Sequence, residues 1–414
     1  MRHSANFIAC LIFTTLITPT WSDEPGNSSK ESPATSGQDE ETRTTPPLTP
    51  EAEQAVVELR ASHPADSEPL AMLDAILNGS RLGPGEGWFK HAVSRSHYTW
   101  DVVSRKYDAD TDGAISAEEF GGSETDFARL DRNGNKSLAE DDLDLSGNSL
   151  YPSPGFMLFF MADADANGKV TPEEFSSLFS RFDTDGRGYL ALDDLRDELL
   201  PPDPGQRHRR PDAPSRSTLI LGLQRQEIGS LQPGPALEEL APDFTLHTVD
   251  DREVTLSKEV GEKPIVLIFG NFTCGPFRSQ SGNIEKLYQR YKDRAKFFLV
   301  YVREAHPADG WWMTSNQRVG IDLTQPTTNA ERRAVAATCR SHLGLDDSDL
   351  PFLVDTVDDK VGAAYSGMPN RLYLINTEGR VMFKSGRGPF GFKPREMEQV
   401  LIMLLLELQP PTSP

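Results

Sequence analysis

Cysteine is scarce in this chain of 414 residues, which contains three. Cys10 lies in an N-terminal segment that we expect to be removed, so the mature chain keeps Cys274 and Cys339. Two thiols cannot build a disulfide framework. They leave two alternatives, either a single bridge or one reactive cysteine beside an inert, hydrophobic one.

Positive charge is also in deficit. The chain has 42 lysines and arginines against 63 aspartates and glutamates, for a net charge of -21. Because phosphate binding needs a basic surface, this balance predicts no nucleic-acid partner. An acidic excess is compatible with disorder, halophily or calcium binding, and only the positions of the acids along the chain separate these interpretations.

Long apolar runs are missing beyond the N-terminus. Arg2 and His3 precede the apolar stretch 7–17, and small residues follow it. This pattern predicts a signal peptide over residues 1–22, too short to span a bilayer, with a retained anchor as the alternative. We therefore expect a secreted or otherwise extracytoplasmic protein, periplasmic if the source is bacterial.

Oxygen-bearing side chains recur at a fixed spacing in the acidic middle of the chain. A calcium loop of the EF-hand type places oxygen ligands at positions 1, 3, 5, 7, 9 and 12, with a glycine at position 6 for its turn. Two segments match throughout, and we expect both to bind calcium. Their ligand positions are Asp108, Asp110, Asp112, Ala114, Ser116 and Glu119, and Asp163, Asp165, Asn167, Lys169, Thr171 and Glu174.

Two further loops keep only part of this pattern. In one, Lys136 replaces the turn glycine; in the other, Arg187 places a cation where position 5 needs an oxygen. We expect weak binding in the former and poor binding in the latter. The oxygen ligands that remain are Asp131, Asn133, Asn135 and Asp142, and Asp183, Asp185 and Asp194.

Neighbouring loops of this kind pair through their position-8 residues, of which Ile115 and Val170 are two. The four loops are thus expected to form two pairs, each with one strong member. We expect calcium to have a structural or docking role rather than a switching one, and the region offers a surface for a protein partner.

A buried strand that ends at a cysteine marks the C-terminal part. Residues 264–269 are continuously apolar, which is typical of a strand covered on both faces, and an amphipathic helix follows Cys274. At a strand-to-helix turn, free N–H groups and the helix dipole favour a thiolate, so Cys274 is a candidate nucleophile. A buried structural cysteine is the alternative.

The elements that follow are predicted in the order βαβαββα, the order of the thioredoxin fold, ending in a helix over 394–408. The sequence thus predicts a multidomain chain, with an all-α EF-hand module followed by an α/β thioredoxin-like domain. Its segments are a signal peptide (1–22), a disordered linker (23–50), a short helical region (51–100), the EF-hand module (101–200), a Pro/Arg-rich linker (201–235) and the thioredoxin-like domain (236–414). A helix over 88–106 is expected to lead into the first calcium loop.

Residues 269–277 and the run Glu304-Ala305-His306-Pro307-Ala308-Asp309-Gly310-Trp311 resemble the iodothyronine deiodinases, as do 371–373 and 386–389. The resemblance covers about 242–406. It implies reductive removal of iodine or another halogen, an external thiol reductant and a halogenated aromatic substrate. It also implies a cis bond before Pro369. In the residues that match, it implies Cys274 in place of selenocysteine, Glu304 and His306 as the acid/base pair, and Arg387 near the substrate.

The chain departs from the family pattern in three places. Sulfur replaces selenium at Cys274, Phe272 stands where the family has a nearby cysteine, and Thr327 or Thr328 stands where it has a second histidine. Cys339 lies within a predicted helix, either as a core residue or as a resolving cysteine that traps an oxidised Cys274.

The side chains around the cysteine also allow two interpretations each. Trp311 either walls an aromatic substrate pocket or packs as an exposed lid. Glu304 and His306, two residues apart, point to the same side at a strand end, so the carboxylate is expected to orient the imidazole. The chain is therefore predicted to be a calcium-binding thiol oxidoreductase, or alternatively a calcium-binding scaffold with a catalytically silent domain.

Overall fold

The computed structural model describes residues 46–80, 82–146, 154–191, 194–195 and 213–409. The predicted signal peptide, the stretch 23–45 and the basic run 207–210 lie outside the described residues. From Leu48 onward the chain belongs to one compact unit. Within the described ranges, no helix combines the length and the apolar character needed to cross a membrane.

The N-terminal part of the described chain is helical. Its α-helices are α1 Pro50–Ser62, α2 Glu68–Leu77, α3 Trp100–Tyr107, α4 Ala117–Phe120, α5 Glu124–Leu130, α6 Glu140–Leu143, α7 Pro154–Ala162, α8 Pro172–Phe182 and α9 Arg216–Gln224. Helices α1 and α2 lie in the part of the chain where a short helical region is expected.

The C-terminal part alternates strands and helices. The strands are β2 Thr245–Thr248, β3 Glu253–Thr255, β4 Ile265–Gly270, β5 Lys296–Tyr301, β6 Phe352–Val354, β7 Arg371–Ile375 and β8 Val381–Lys384; β1, Arg95–Ser96, comes earlier in the chain. The helices are α10 Leu256–Glu259, α11 Gly275–Arg278, α12 Ser281–Tyr291, α13 Thr314–Arg318, α14 Asn329–His342, α15 Lys360–Ala364 and α16 Pro394–Glu407.

The strands form a single sheet with the order β1-β8-β7-β4-β5-β6-β2-β3. Strand β4 pairs parallel with β5 and antiparallel with β7, which pairs antiparallel with β8. This central arrangement, with helices α12 and α14 following β4 and β5 and α16 closing the chain, is the thioredoxin topology that the element order predicts. Cys274 lies just beyond the carboxyl end of β4, where β5 and β7 flank it on opposite sides.

The core around this sheet explains why the strands are so apolar. All six residues of β4 are buried, so the strand is covered on both faces. Ile284 of α12, Cys339 of α14 and Leu401 of α16 belong to the same buried cluster. Each fully buried large apolar side chain contributes about 1.5–3 kcal/mol, so this cluster holds the strand end that carries Cys274 in place.

The predicted linker over 201–235 is wrong for the residues from 216 to 224, which form helix α9. Leu219, Ile220 and Leu223 recur at helical spacing and pack with α1 and α2 in a second, smaller core. The helix begins at Ser215, whose hydroxyl accepts a hydrogen bond from the Thr218 N–H at 3.1 Å. The proline and arginine residues that precede this apolar stripe favoured the prediction of a linker. Residues 201–212 lie outside the described residues.

The single helix expected over 88–106 is also wrong. Gly87–His91 form a 3₁₀ turn, β1 follows, and only then does α3 begin. Arg95 and Ser96 pair antiparallel with Lys384 and Phe383 of β8. The sheet edge offers backbone partners, and this tertiary pairing overrides the local helical preference.

The first two calcium loops pair as their position-8 residues predict. Ile115 and Leu138 exchange two backbone hydrogen bonds of 2.8 and 3.0 Å. This loop pair rests on α16, because the buried Gln399 accepts from the Arg132 guanidinium and donates to the Leu130 carbonyl at 3.4 Å. The EF-hand region therefore packs directly on the α/β core.

Candidate active site and calcium loops

The Cys274 thiol is enclosed. Its residue is 2 % exposed and directly precedes α11, a helix of four residues. Its sulfur accepts a hydrogen bond from the Asn370 side-chain amide at 3.1 Å. Asn370 follows Pro369, and the Met368–Pro369 bond is cis, as the deiodinase resemblance implies. The strand end and the cis-proline segment thus meet at the sulfur.

The expectation of a readily formed thiolate is corrected by this enclosure. Burial raises the pKa of Cys274 to about 11, although the Phe277 N–H, the Asn370 amide and the Arg278 guanidinium act in the opposite direction. A single helical turn offers little dipole, so desolvation dominates. In this conformation the thiol is protonated at neutral pH.

The Glu304 carboxylate is hydrogen-bonded to Thr273, the residue that precedes Cys274. One carboxylate oxygen accepts from the Thr273 N–H at 2.9 Å and from its hydroxyl at 2.8 Å, and the other accepts from the Tyr301 hydroxyl. The carboxyl is fully buried, and burial raises its pKa despite these hydrogen bonds. A carboxyl with a raised pKa next to a thiol can hold or deliver a proton.

Thr273 connects Glu304 to His306. The Thr273 hydroxyl that donates to Glu304 also accepts from the His306 backbone N–H at 3.0 Å. The imidazole Nδ1 lies 3.0 Å from the Trp311 carbonyl oxygen, and the two rings meet edge to face with centroids 4.7 Å apart. The ring is thus positioned by Trp311, whereas the sequence predicted that the Glu304 carboxylate would orient it.

Asn271 joins the three segments that surround the site. Its amide donates to the Pro369 carbonyl at 2.9 Å, and its side-chain oxygen accepts from the Ala305 N–H at 3.2 Å and lies 3.1 Å from the Thr273 hydroxyl oxygen. It is fully buried, so these bonds replace its lost hydration. The β4 turn, the β5 turn and the cis-proline segment are therefore held in one arrangement.

Arg387 lies between the N-terminal helices and the α/β region and is hydrogen-bonded to residues of both. Its guanidinium donates to the Glu68 carboxylate at 2.6 Å, to the Ser230 carbonyl at 2.8 Å and to the Ser366 hydroxyl at 2.9 Å, and it lies 4.6 Å from the Trp88 ring centroid. These contacts fix the N-terminal helices to the α/β region, and the substrate contact that the resemblance implies stays a prediction.

Cys339 matches the core-facing alternative. It is fully buried within α14, and burial raises its pKa well above the usual range of a thiol. Both described cysteines are free thiols. Thr328 is likewise structural, since its hydroxyl accepts from the Glu331 N–H and caps the same helix.

A small cavity of about 20 Å³ lies beside His306, with Trp312, Asn316 and Leu323 among its lining residues. Sites for drug-sized ligands enclose roughly 300–1,000 Å³. Trp312 is 39 % exposed at the rim. An aromatic substrate could therefore enter beside His306 only if the segment from Ala308 to Leu323 moved outward.

The first strong calcium loop brings three of its predicted ligands together. Carboxylate oxygens of Asp108, Asp110 and Asp112 lie within 4.8 Å of one another, and one buried oxygen of Asp108 has no hydrogen-bond partner. Glu119 caps α4 together with Ser116. Hard oxygen donors at this spacing fit Ca²⁺, which would complete the coordination of the orphaned oxygen.

The second strong loop shows the same convergence. Carboxylate oxygens of Asp163, Asp165 and Glu174 lie within 4.8 Å of one another. Burial, together with the neighbouring carboxylates, raises the pKa of Asp163 to about 6. A divalent cation would offset this repulsion, so the donor set fits calcium here as well.

The two degraded loops differ from each other. Lys136 adopts φ +68°, the left-handed conformation that glycine usually supplies, and its N–H donates to Asp131, so the turn survives without glycine. In the other loop the Arg187 guanidinium pairs with the Asp185 carboxylate at 3.0 Å. The Arg187 cation therefore pairs with a carboxylate that calcium would need, and we expect this loop to bind calcium poorly.

Comparison with known proteins assigns a family resemblance to each half. The iodothyronine deiodinase family model matches residues 233–404, and the EF-hand model matches 105–121 and 158–180. Residues 233–404 form a deiodinase-like thioredoxin fold. The two strong loops, which start at Asp108 and Asp163, lie within the EF-hand matches.

Curated relatives agree. Thyroxine 5-deiodinase of Gallus gallus is 34% identical over 184 residues, covering 44% of this chain and 66% of the relative. Type I iodothyronine deiodinase of Xenopus laevis is 33% identical over 141 residues, covering 34% and 52%. The chain thus spans roughly half to two thirds of the length of these relatives.

A solved structure of the thioredoxin domain of a thiol-disulfide oxidoreductase from Bacteroides vulgatus is 16% identical. It covers 41% of this chain and 99% of that domain, with a TM-score of 0.29. A likeness at this level does not bear on function.

Several site residues have no distinctive sequence signal. Asn271 and Thr273 both precede Cys274 in the turn that follows β4, and this position is the one sequence signal that points to them. Tyr301 reads as one more apolar strand residue, and Asn370 and Arg278 are ordinary polar residues until the fold brings them to the sulfur.

Proposed function

We propose that the chain is a calcium-binding thiol oxidoreductase that reductively removes iodine, or a related halogen, from an aromatic compound. The observation that carries this proposal is the deiodinase match over 233–404, in which Cys274 stands at the end of β4 beside Glu304 and His306. The substrate class comes from the named relatives, which are iodothyronine deiodinases.

Cys274 supplies the electron pair in this reaction. Its thiolate forms a bond to the halogen while the carbon–halogen bond breaks, and the electron pair of that bond stays on the ring carbon. The carbon takes up a proton and becomes C–H. The sulfur is left carrying the halogen as a sulfenyl halide.

An external thiol regenerates the cysteine. Its sulfur attacks the Cys274 sulfur and forms a mixed disulfide, and halide and a proton leave. A second thiol then attacks the mixed disulfide, which returns Cys274 as a thiol and releases the oxidised reductant. Two electrons pass from the two thiols to the substrate, and Cys339, which faces the core within α14, is assigned no part.

Proton delivery is assigned to His306, with Glu304 supporting the cysteine turn. A carbonyl oxygen only accepts, so the contact of Nδ1 with the Trp311 carbonyl places a proton on Nδ1, and the ring delivers a further proton as the imidazolium. Glu304 reaches the same turn through Thr273. The acid and the nucleophile thus approach a substrate from two adjoining loops.

The enclosure of Cys274 requires an opening step. Cys274 is 2 % exposed, and the pKa of its thiol is raised to about 11. Substrate binding must therefore uncover the thiol and favour its charged form. We place this opening in the segment that carries Trp312 and Asn316, which covers the small cavity beside His306. Lid motions of this type commonly complete an active site.

We also propose that the chain works outside the cytoplasm, on the strength of the signal-like sequence at residues 1–22. Extracellular calcium modules have dissociation constants of about 10⁻⁴–10⁻³ M, so the two strong loops would be largely filled there.

A second candidate is a calcium-binding scaffold with a silent thioredoxin-like domain. The enclosed, protonated thiol favours it. Phe156, Phe160 and Phe175 of α7 and α8 are also 45 %, 45 % and 52 % exposed, which suits contact with a protein partner through the EF-hand region.

Iodide release separates these functions. The full mature chain is incubated with an iodothyronine, dithiothreitol and calcium, beside the variants Cys274→Ser and Cys339→Ala. Release that disappears in Cys274→Ser and persists in Cys339→Ala supports the proposed enzyme. Release that survives Cys274→Ser rejects the nucleophile. No release by the wild-type chain, with Cys274 inert to alkylation, favours the scaffold.

A further inference from the structure

The third calcium loop lies directly against the turn that carries Cys274. Gly168 of this loop packs so closely on the Arg278 carbonyl that a side-chain Cβ there would come within 2.0 Å of the oxygen. The Ser281 hydroxyl donates to the Asn167 carbonyl, and Asn167 is itself a predicted ligand. The loop and the start of α12 therefore cannot move independently.

Arg278 is the residue that joins the two. Its guanidinium donates to the Ala166 carbonyl of the loop at 3.2 Å, to the Phe272 carbonyl of the cysteine turn, and to the Asn316 side chain at 2.8 Å. The residue is 2 % exposed. A buried guanidinium that donates to three separate segments fixes their relative positions, because moving any one leaves a buried donor without its acceptor.

The Asn316 contact extends this link around the cysteine. The Asn316 amide donates to the Thr273 carbonyl at 2.8 Å, and Asn316 also lines the small cavity beside His306. Arg278 thus contacts both the segment that carries Asn316 and the turn on the N-terminal side of Cys274.

The charges favour a particular direction of coupling. Arg278 interacts electrostatically with Cys274 on one side and with Asp163 on the other. When the loop lacks calcium, the Asp163 carboxylate competes for the guanidinium. Calcium bound in the loop offsets the charge of this carboxylate, so the positive charge of Arg278 acts more strongly on the sulfur, where it stabilises a thiolate.

We infer that Arg278 is a positioning residue through which calcium in the loop Asp163–Glu174 makes Cys274 more reactive. This inference rests on the proposed function only in taking Cys274 as the nucleophile. It assigns calcium a regulatory role at the active site, whereas the sequence favoured a structural or docking one. The first loop, at Asp108, rests on α16 through its partner loop and serves as an internal comparison.

The first test measures alkylation of Cys274 in the full chain, with iodoacetamide and peptide mass spectrometry, in calcium and in chelator. Calcium is expected to raise the rate about fivefold or more, within the range of typical coupling free energies. Glu174→Gln should abolish this response. The matched variant Glu119→Gln should lose one calcium site yet keep the response. Equal loss in both variants, or retention in Glu174→Gln, overturns the inference.

The second test addresses Arg278. Arg278→Lys keeps the charge but cannot donate to three segments, so the calcium response should fall to less than twofold while two strong calcium sites remain by titration calorimetry. Ser281→Ala, which removes only the second bond to the loop, leaves Arg278 in place should the lysine variant fold poorly. It should weaken the response partially. A full response in either variant contradicts the assignment.

Reciprocity provides a readout that is independent of turnover. Because calcium and the charge on Cys274 are coupled through Arg278, removing that charge by alkylation should change the calcium affinity of the third loop and leave that of the first unchanged. If the protein releases no iodide but shows this coupling, the proposed function fails and the inference stands. If the protein releases iodide but calcium does not change the alkylation rate of Cys274, the proposed function stands and the inference fails.

Discussion

The side-chain amide of Asn370 donates to the sulfur of Cys274 over 3.1 Å, from the residue directly after the cis-proline. An N–H aimed at sulfur stabilises the thiolate more than the thiol. Asn370 is fully buried, so the donor is fixed in this position.

Replacing this donor should slow the cysteine. Asn370→Ala removes a hydrogen bond to a charged group, worth about 1.5–3 kcal/mol, and should lower the alkylation rate of Cys274 at pH 8 by about tenfold or more. Asn370→Asp keeps the shape but substitutes a negative charge, so its loss should be larger. An unchanged rate in Asn370→Ala would show that the amide does not stabilise the thiolate. Circular dichroism checks that both variants fold.

The pH dependence follows from the enclosed thiol. Since burial raises the pKa of Cys274 to about 11, the thiolate is the minor form at every lower pH. Its alkylation rate should therefore rise about tenfold per pH unit between pH 7 and 10, without a plateau. The time course of iodoacetamide labelling, followed on the Cys274 peptide, measures this slope. A plateau near pH 7 would instead indicate an activated thiolate.

The fourth loop offers a gain of binding. Arg187 pairs with Asp185 and blocks position 5, so Arg187→Asn should supply an oxygen and release the carboxylate. We expect titration calorimetry to show one additional, weak calcium site. Arg187→Lys keeps the positive charge and should add none. An identical site count in Arg187→Asn and the wild type would mean that other features of the loop prevent binding.

Arg387 tests the difference between a structural and a substrate-binding residue. Arg387→Met leaves the Glu68 carboxylate without its partner; removing one partner of a buried pair costs about 3–5 kcal/mol, and the cost should be lower here because the Glu68 side chain is 42% exposed. Urea unfolding should therefore show a loss of about 2–3 kcal/mol in the free energy of unfolding. Glu68→Gln should cost less, since the guanidinium keeps its other acceptors. A raised KM in Arg387→Met with an unchanged free energy of unfolding would instead support a role in substrate binding.

Residues near one another in sequence made the local elements predictable. The continuous apolar run of β4 and the alternation of elements after it predict the thioredoxin order, and the ligand spacing identifies the loops at Asp108 and Asp163. These signals work because strand burial and calcium coordination each impose a pattern within about a dozen residues.

The environment of the cysteine depends on residues far apart in sequence. Asn370 is 96 positions from Cys274, and Arg387 pairs with Glu68 across 319 positions. Whether a thiol is exposed or enclosed is decided by such contacts, so the sequence predicted the place of Cys274 and missed its protonation. The sequence did not predict helix α9 for a similar reason. Its apolar residues form a buried face only because α1 and α2, far away in sequence, pack against them.

The two-residue strand β1 has a consequence for how the protein can be divided. Without Arg95 and Ser96, strand β8 would present unpaired N–H and C=O groups along the open edge of the sheet, and such edges recruit strands from other molecules. A fragment that begins at residue 236, where the sequence suggests a domain boundary, would therefore be prone to self-association. The region resembling deiodinases, taken alone, therefore lacks the residues that cover this edge of its own sheet.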